Sequence, residues 1–167
     1  LLLPAGAGTT YRALGTLLLA LLRDPEQLEA VRADRKLLGP AIEESLRWEQ
    51  PLTAVSRLAT RSTELADVAI PEGAVMHACL AAANHDPARW DDPHRFDLRR
   101  EPRPHLTFGS GPHLCVGMHL ARMELRVAMN ALLDRLKGLR LDPDADPPFM
   151  TGLLFRMPSA VPVRFEP

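Results

Sequence analysis

Ten residues, Phe108-Gly109-Ser110-Gly111-Pro112-His113-Leu114-Cys115-Val116-Gly117, set one cysteine at the mouth of a glycine-rich loop, just ahead of an apolar-periodic helix. Gly109 and Gly111 can take backbone conformations closed to other residues and admit a close neighbour. The pattern puts Cys115 at the start of the helix, where free N–H groups and the macrodipole favour negative charge. Such a place lowers a thiol pKa from its free value of about 8.5. A sheltered thiolate beside glycines suits an axial metal ligand. A lone cysteine by a glycine turn is more often a buried structural residue, so the reading rests on the whole loop. The other cysteine, Cys79, lies in an apolar run and reads as a small buried residue. Two cysteines imply no disulfide framework.

Other chemistry-bearing groups are scattered. Glu43, Glu44 and Arg47 are spaced so that both carboxylates reach the guanidinium on one helix face. Taken alone, such a pair is usually exposed and worth under about 1 kcal/mol. Arg57, His105 and His113 are single cations, ordinarily surface residues. Thr9 follows a run of small residues, Ala5-Gly6-Ala7-Gly8, that on its own reads equally well as a glycine kink in a core helix.

The elements that must position these groups are mostly helical. Leu14, Leu17, Leu18, Leu21 and Leu22 repeat at helical spacing, predicting one long helix over 1–23. Asp24-Pro25-Glu26-Gln27 starts the next, with an Asp cap and Pro in the first turn, running to about Asp34. Gly39-Pro40 opens a third, ended by Pro51. Residues 54–80 alternate like short strands, with a turn at Pro71-Glu72-Gly73. Residues 84–104, rich in Pro, Asp and Arg, read as an ordered meander. Leu120, Leu125, Met129, Leu132, Leu133 and Leu136 mark a second long amphipathic helix. A closing hairpin is expected over 152–165. The fold class is mainly α with small β-sheets, without internal repeats or a flexible linker.

The 167 residues match the size of one domain. Hydrophobic content of 46% and charged content of 25% are ordinary for a globular chain. A net charge of -1 offers no sign of a nucleic-acid partner. Arg greatly outnumbers Lys, which suits bidentate carboxylate pairing. The chain opens inside Leu1-Leu2-Leu3, a run too short to span a bilayer. This opening reads as the middle of a helix, and the expectation is the C-terminal part of a longer protein.

The cysteine loop resembles the haem-binding loop of cytochrome P450, Phe-Gly-x-Gly-x-His-x-Cys-x-Gly, with all fixed positions filled. Glu44-x-x-Arg47 resembles the family's Glu-x-x-Arg, which an Arg of the meander joins to hold the haem-side core. Phe96-Asp97-Leu98-Arg99-Arg100 resembles that meander, with Arg100 as third member and Arg99 as fallback. Ala5-Gly6-Ala7-Gly8-Thr9 is similar to the family's I-helix motif, Ala-Gly-x-(Asp/Glu)-Thr. Gly8 stands at the acid position, which leaves proton delivery to water or to an acid elsewhere. His105-Leu106-Thr107-Phe108-Gly109 is similar to His-Leu-Ala-Phe-Gly, and Asn84-His85-Asp86-Pro87 to a structural Asn-Arg-Asp-Pro.

The resemblance covers nearly the whole chain. It implies the P450 fold from the middle of the I helix onward, with 1–167 the C-terminal part of a single domain. It implies heme b, with Cys115 as the metal ligand and Phe108, Gly109 and Gly117 in the cofactor loop. Arg57, His105 and His113 are then candidates for the haem propionates. Thr9, with Ala5, Gly6 and Gly8, forms the oxygen-side site. Thr53, Ala54, Val55, Leu154 and Phe155 fall where the family lines its substrate pocket. Arg122 and Arg103 are candidates for a basic face toward an electron donor. The implied activity is monooxygenation of a small organic substrate, with electrons from NAD(P)H through a ferredoxin-like or flavin donor, in the cytoplasm. A P450-fold peroxygenase or isomerase, suggested by Gly8, and a non-catalytic haem-binding fragment remain the alternatives.

Overall fold

A computed structural model describes the backbone of residues 2–166 and the side chains of 5–166; Leu1 and Pro167 lie outside the described residues. Helix α1 (Leu2–Arg23) stops at Asp24, which caps α2 (Pro25–Ala33). The Asp24 carboxylate accepts from the Gln27 backbone N–H at 3.1 Å and from the Gln27 amide at 2.6 Å. These bonds satisfy a free N–H of the helix start. A short 3₁₀ turn (Arg35–Leu37) runs into α3 (Leu38–Trp48), so this helix begins just before the expected Gly39-Pro40.

Four short strands follow: β1 (Ala54–Leu58), β2 (Thr63–Leu65), β3 (Val68–Ile70) and β4 (Val75–Cys79). β1 pairs antiparallel with β4 in the register Ala54↔Cys79 to Leu58↔Val75, and β2 with β3. Gly73, at φ +82°, makes the turn into β4. Cys79 is exposed, contrary to its apolar context. A two-stranded sheet covers little of either face, so its apolar alternation does not translate into burial.

After α4 (Leu80–Asn84) the chain is irregular until α5 (Met118–Arg135). β5 (Lys137–Leu141) pairs with the last strand, β8 (Val163–Glu166), and β6 (Met150–Thr151) with β7 (Met157–Pro158). The closing segment is therefore two separate pairings instead of one hairpin over 152–165. The small hairpin closes inside the longer β5–β8 pairing, which a reading by alternation alone merges.

α1 is the hub, touching α2, α3, α5, β5 and β7. Leu17 and Leu21 of α1, Val31 of α2, Leu38 and Ile42 of α3, and Leu125 and Met129 of α5 bury their side chains together. Buried Gln27 ties α2 to the irregular segment, donating to the Phe96 carbonyl (3.2 Å) and accepting from Leu98 N–H (2.8 Å).

Candidate functional site

Gly109 and Gly111 sit at φ +72° and +71°, where a side chain would strain the backbone. Between them they curl the loop into a 3₁₀ turn, Gly111–His113. The Cys115 N–H then reaches back to the Phe108 carbonyl at 2.9 Å. This bond closes the loop and turns Cys115, Leu114 and Val116 outward, all exposed, with Val116 at 90%. α5 begins at Met118 with Gly117 as its cap, so Cys115 lies before the helix and not within its first turn. The Cys115 carbonyl accepts from Met118 N–H at 3.3 Å, which ties the loop backbone to the start of the helix. His113 is exposed beside it.

Behind the loop, Glu44 and Arg47 form a buried pair, 6% and 1% exposed. Arg47 Nε and Nη2 each donate to a Glu44 carboxylate oxygen at 2.8 Å. Its other N–H groups donate to the carbonyls of Asn84, Pro93 and Arg95, so every donor of the guanidinium is used. Arg100 Nε donates to the same Glu44 carboxylate at 2.9 Å, and Asp97 N–H adds a bond at 3.1 Å. Arg99 points away to an exposed contact with Glu26 at 3.4 Å.

Glu43, one residue earlier, faces the other way. Arg122 of α5 grips its carboxylate with two bonds of 2.7 and 2.8 Å, and His105 Nε2 lies 3.2 Å from it. Burial alone would raise the Glu43 pKa, but Arg122 and then His105 hold it down at about 2. His105 is 5% exposed in its side chain, and its Nδ1 accepts from Thr107 N–H at 3.3 Å. Both ring nitrogens of His105 are thus engaged by protein groups. The Arg122 side chain is 30% exposed and already paired, unlike a cation left free for a partner. Arg103 is exposed and donates to the Arg89 carbonyl. The Glu43 pairing was not legible in the sequence, because the partners lie 62 and 79 residues away.

On α1, Thr9 Oγ1 donates to the Ala5 carbonyl at 2.7 Å, and Thr10 Oγ1 to the Gly6 carbonyl at 2.7 Å. The hydroxyl proton of Thr9 is thus committed within the helix, and its lone pairs remain free to accept. Arg12, which the sequence did not single out, donates from Nη1 to the Gly8 carbonyl. A Cβ at Gly8 would meet that Nη1 at 3.2 Å. Arg12 also stacks over Tyr11 (4.7 Å) and Phe155 (5.5 Å).

Thr53 is tied to the small hairpin. Its N–H donates to the Leu154 carbonyl at 3.0 Å, its Oγ1 to the Leu153 carbonyl at 2.7 Å, and Leu52 bridges to Phe155. Ala54 and Val55 are half-buried on β1, whereas Leu154 and Phe155 are exposed. Arg57, on the same strand, is exposed, and its Nη1 donates to the neighbouring Ser56 carbonyl. A cleft of about 450 Å³ between α3 and the irregular segment is lined by Glu43, Arg47, Arg100 and His105, away from the Cys115 thiol.

The family model described as Cytochrome P450 matches residues 1–161. The chain belongs to the cytochrome P450 family. It is 44% identical to cytochrome P450 107B1 of Saccharopolyspora erythraea over 98% of this chain and 41% of that protein. It is 40% identical to 6-deoxyerythronolide B hydroxylase of the same organism, over 99% of this chain and 41% of the hydroxylase. Among solved structures, the ligand-free P450 monooxygenase TamI superposes with a TM-score of 0.90 at 44% identity, covering 98% of this chain and 40% of that one. P450BioI, solved in complex with an acyl carrier protein carrying hexadec-9Z-enoic acid, gives 0.89 at 40% identity, over 97% and 42%. The chain thus has the C-terminal part of the P450 fold and spans about two-fifths of the length of these relatives. Haem is the cofactor of the family. No helix among the described residues is long and apolar enough to cross a membrane.

Proposed function

We propose that this P450 chain contributes the thiolate ligand and the oxygen-side helix of a haem-thiolate monooxygenase. The observation that carries the reading is the exposed Cys115 thiol on a loop braced by two positive-φ glycines. The residues present fit a haem, which we take to be heme b. A soft sulfur donor is flanked by the exposed apolar side chains of Leu114 and Val116, which suit the face of a flat macrocycle. Arg57, an exposed cation, and His113, an exposed hydrogen-bond donor, are suited to its two carboxylates. His105 is proposed for the same role, and its ring nitrogens also contact Glu43 and Thr107.

When bound, the haem supplies dioxygen activation and transfer of one oxygen atom to the substrate. Cys115 would hold the iron and supply it with electron density. Phe108 and the glycines hold the Cys115 loop in one orientation. Thr9 accepts a hydrogen bond at Oγ1 from a water, because its own proton is held by Ala5. Gly8 supplies no carboxylate for that water chain, and Arg12 occupies the adjoining space. Ala5 and Gly6 keep this stretch of α1 slim. Thr53, Ala54, Val55, Leu154 and Phe155 line the pocket for a small organic substrate. A ferredoxin-like or flavin donor in the cytoplasm passes electrons from NAD(P)H.

The missing carboxylate at Gly8 favours one second reading, a peroxygenase that needs no such proton delivery. Product formed per NAD(P)H consumed, in the intact protein with a donor, separates the two when set against product formed with hydrogen peroxide. Donor-driven product formation is the expected result. Product with peroxide alone would replace the monooxygenase reading, and haem binding with neither activity would favour a non-catalytic role.

A further inference from the structure

Three elements meet at the Glu43 carboxylate, and none of its contacts is explained by the Glu44–Arg47–Arg100 cluster. Glu43 comes from α3, Arg122 from the first turns of α5, and His105 from the segment leading into the cysteine loop. The Arg122 guanidinium also lies 4.6 Å from the centre of the Phe108 ring, over its face. His105 stands beside the same ring, centroids 6.1 Å apart. Phe108 in turn accepts the hydrogen bond from Cys115 N–H. Thus a paired cation is stacked on the residue that orients the thiol.

From this arrangement, and resting on the haem-thiolate reading above, we infer that Glu43 and Arg122 are opposed positioning residues that set the reduction potential of the iron held by Cys115. Arg122 acts through the Phe108 ring on which it stacks. One-electron reduction by the donor adds negative charge at the iron–thiolate unit, and a nearby cation stabilises the reduced form. Glu43 partly cancels that cation. The pair therefore fixes how much positive charge the thiolate senses, while His105 holds Glu43 in place from the other side. Arg122 then serves inside the protein and not as a docking cation for the donor.

The opposed signs make the inference testable. Reduction potentials are measured on the intact haem-loaded protein at pH 8, where imidazoles are ordinarily neutral. Arg122→Gln leaves the Glu43 carboxylate without its cation and should lower the potential. Glu43→Gln leaves Arg122 uncompensated and should raise it. Arg122→Lys keeps the charge and should stay nearer the parent than Arg122→Gln. The double variant Glu43→Gln with Arg122→Gln should return toward the parent. A general loosening of the loop would move both single variants the same way, and that result overturns the inference, as does no shift in either. Should Arg122→Gln fail to hold haem, Glu43→Gln and Arg122→Lys decide: a rise in the first with little change in the second supports the inference, and any other pattern rejects it. A parent protein without a thiolate-type Soret band would reject the haem-thiolate reading itself, a distinct failure.

Discussion

At Glu44 a single carboxylate answers guanidinium groups from two parts of the chain, and Arg47 spends its remaining donors on carbonyls of the irregular segment. Removing Glu44 strands two guanidinium groups, and removing Arg47 leaves Glu44 with Arg100 and the carbonyls without their donor, each at a cost of about 3–5 kcal/mol. Glu44→Ala and Arg47→Ala should each lose that much stability in denaturant titrations of the intact protein and accumulate little haem-loaded material. Normal folding and haem content in both would show that the cluster is dispensable. Its neighbour Glu43 gives a pH signature. A carboxylate held at about 2 in the fold, against 4.5 ordinarily, contributes stability that is complete above about 4.5 and lost as pH falls toward 2. Glu43→Gln should flatten that stretch of the stability–pH curve and leave the neutral range less stable than the parent; an unaltered acid limb would argue that Glu43 is unpaired in solution. The spacing of Glu44 and Arg47 made their contact legible in the sequence, since i and i+3 share a helix face. The contacts of Glu43 with Arg122 and His105 were not, because helical periodicity says nothing about partners brought in by tertiary packing.

Among the elements, the helices were the most legible. Leucine periodicity and the Asp24 cap placed α1 and α2 within a residue or two, because both signals are local. The start of α5 was less so: Gly117 ends the loop and caps the helix, which leaves Cys115 outside the first turn. Its macrodipole therefore assists the thiolate less than a first-turn position would. The small strands were harder to read, since alternation fixes neither partner nor register. Gly152 shows what the pattern hides. It sits at φ +84°, and a Cβ there would fall 2.0 Å from the Phe155 carbonyl oxygen. That overlap cannot be relieved without opening the turn that holds Leu154 and Phe155. Gly152→Ala should lower the melting temperature and weaken the spectral shift produced by substrate, because Phe155 leaves its place beside Arg12 and Leu52. An unchanged melting temperature together with an unchanged substrate shift would mean that the hairpin is not part of the pocket wall.

Over the whole molecule, the four packed helices bury a single apolar core, while large apolar side chains remain outside it at Leu114, Val116, Leu153, Leu154 and Phe155. Exposed apolar side chains grouped on the cysteine loop and on the small hairpin suit contact with a ligand. The family and most of the helical frame were legible in the sequence because the cysteine loop combines several rare requirements within ten residues. Substrate identity was not, because the chain spans about two-fifths of the length of its relatives. The account therefore turns on one atom, the sulfur of Cys115. The direct measurement is the carbon monoxide difference spectrum of the reduced, intact protein, taken for the parent and for Cys115→Ser, with Cys79→Ser as the control. The account predicts a thiolate-type Soret band in the parent and in Cys79→Ser, and its loss in Cys115→Ser. Survival of that band in Cys115→Ser would contradict the account at its centre.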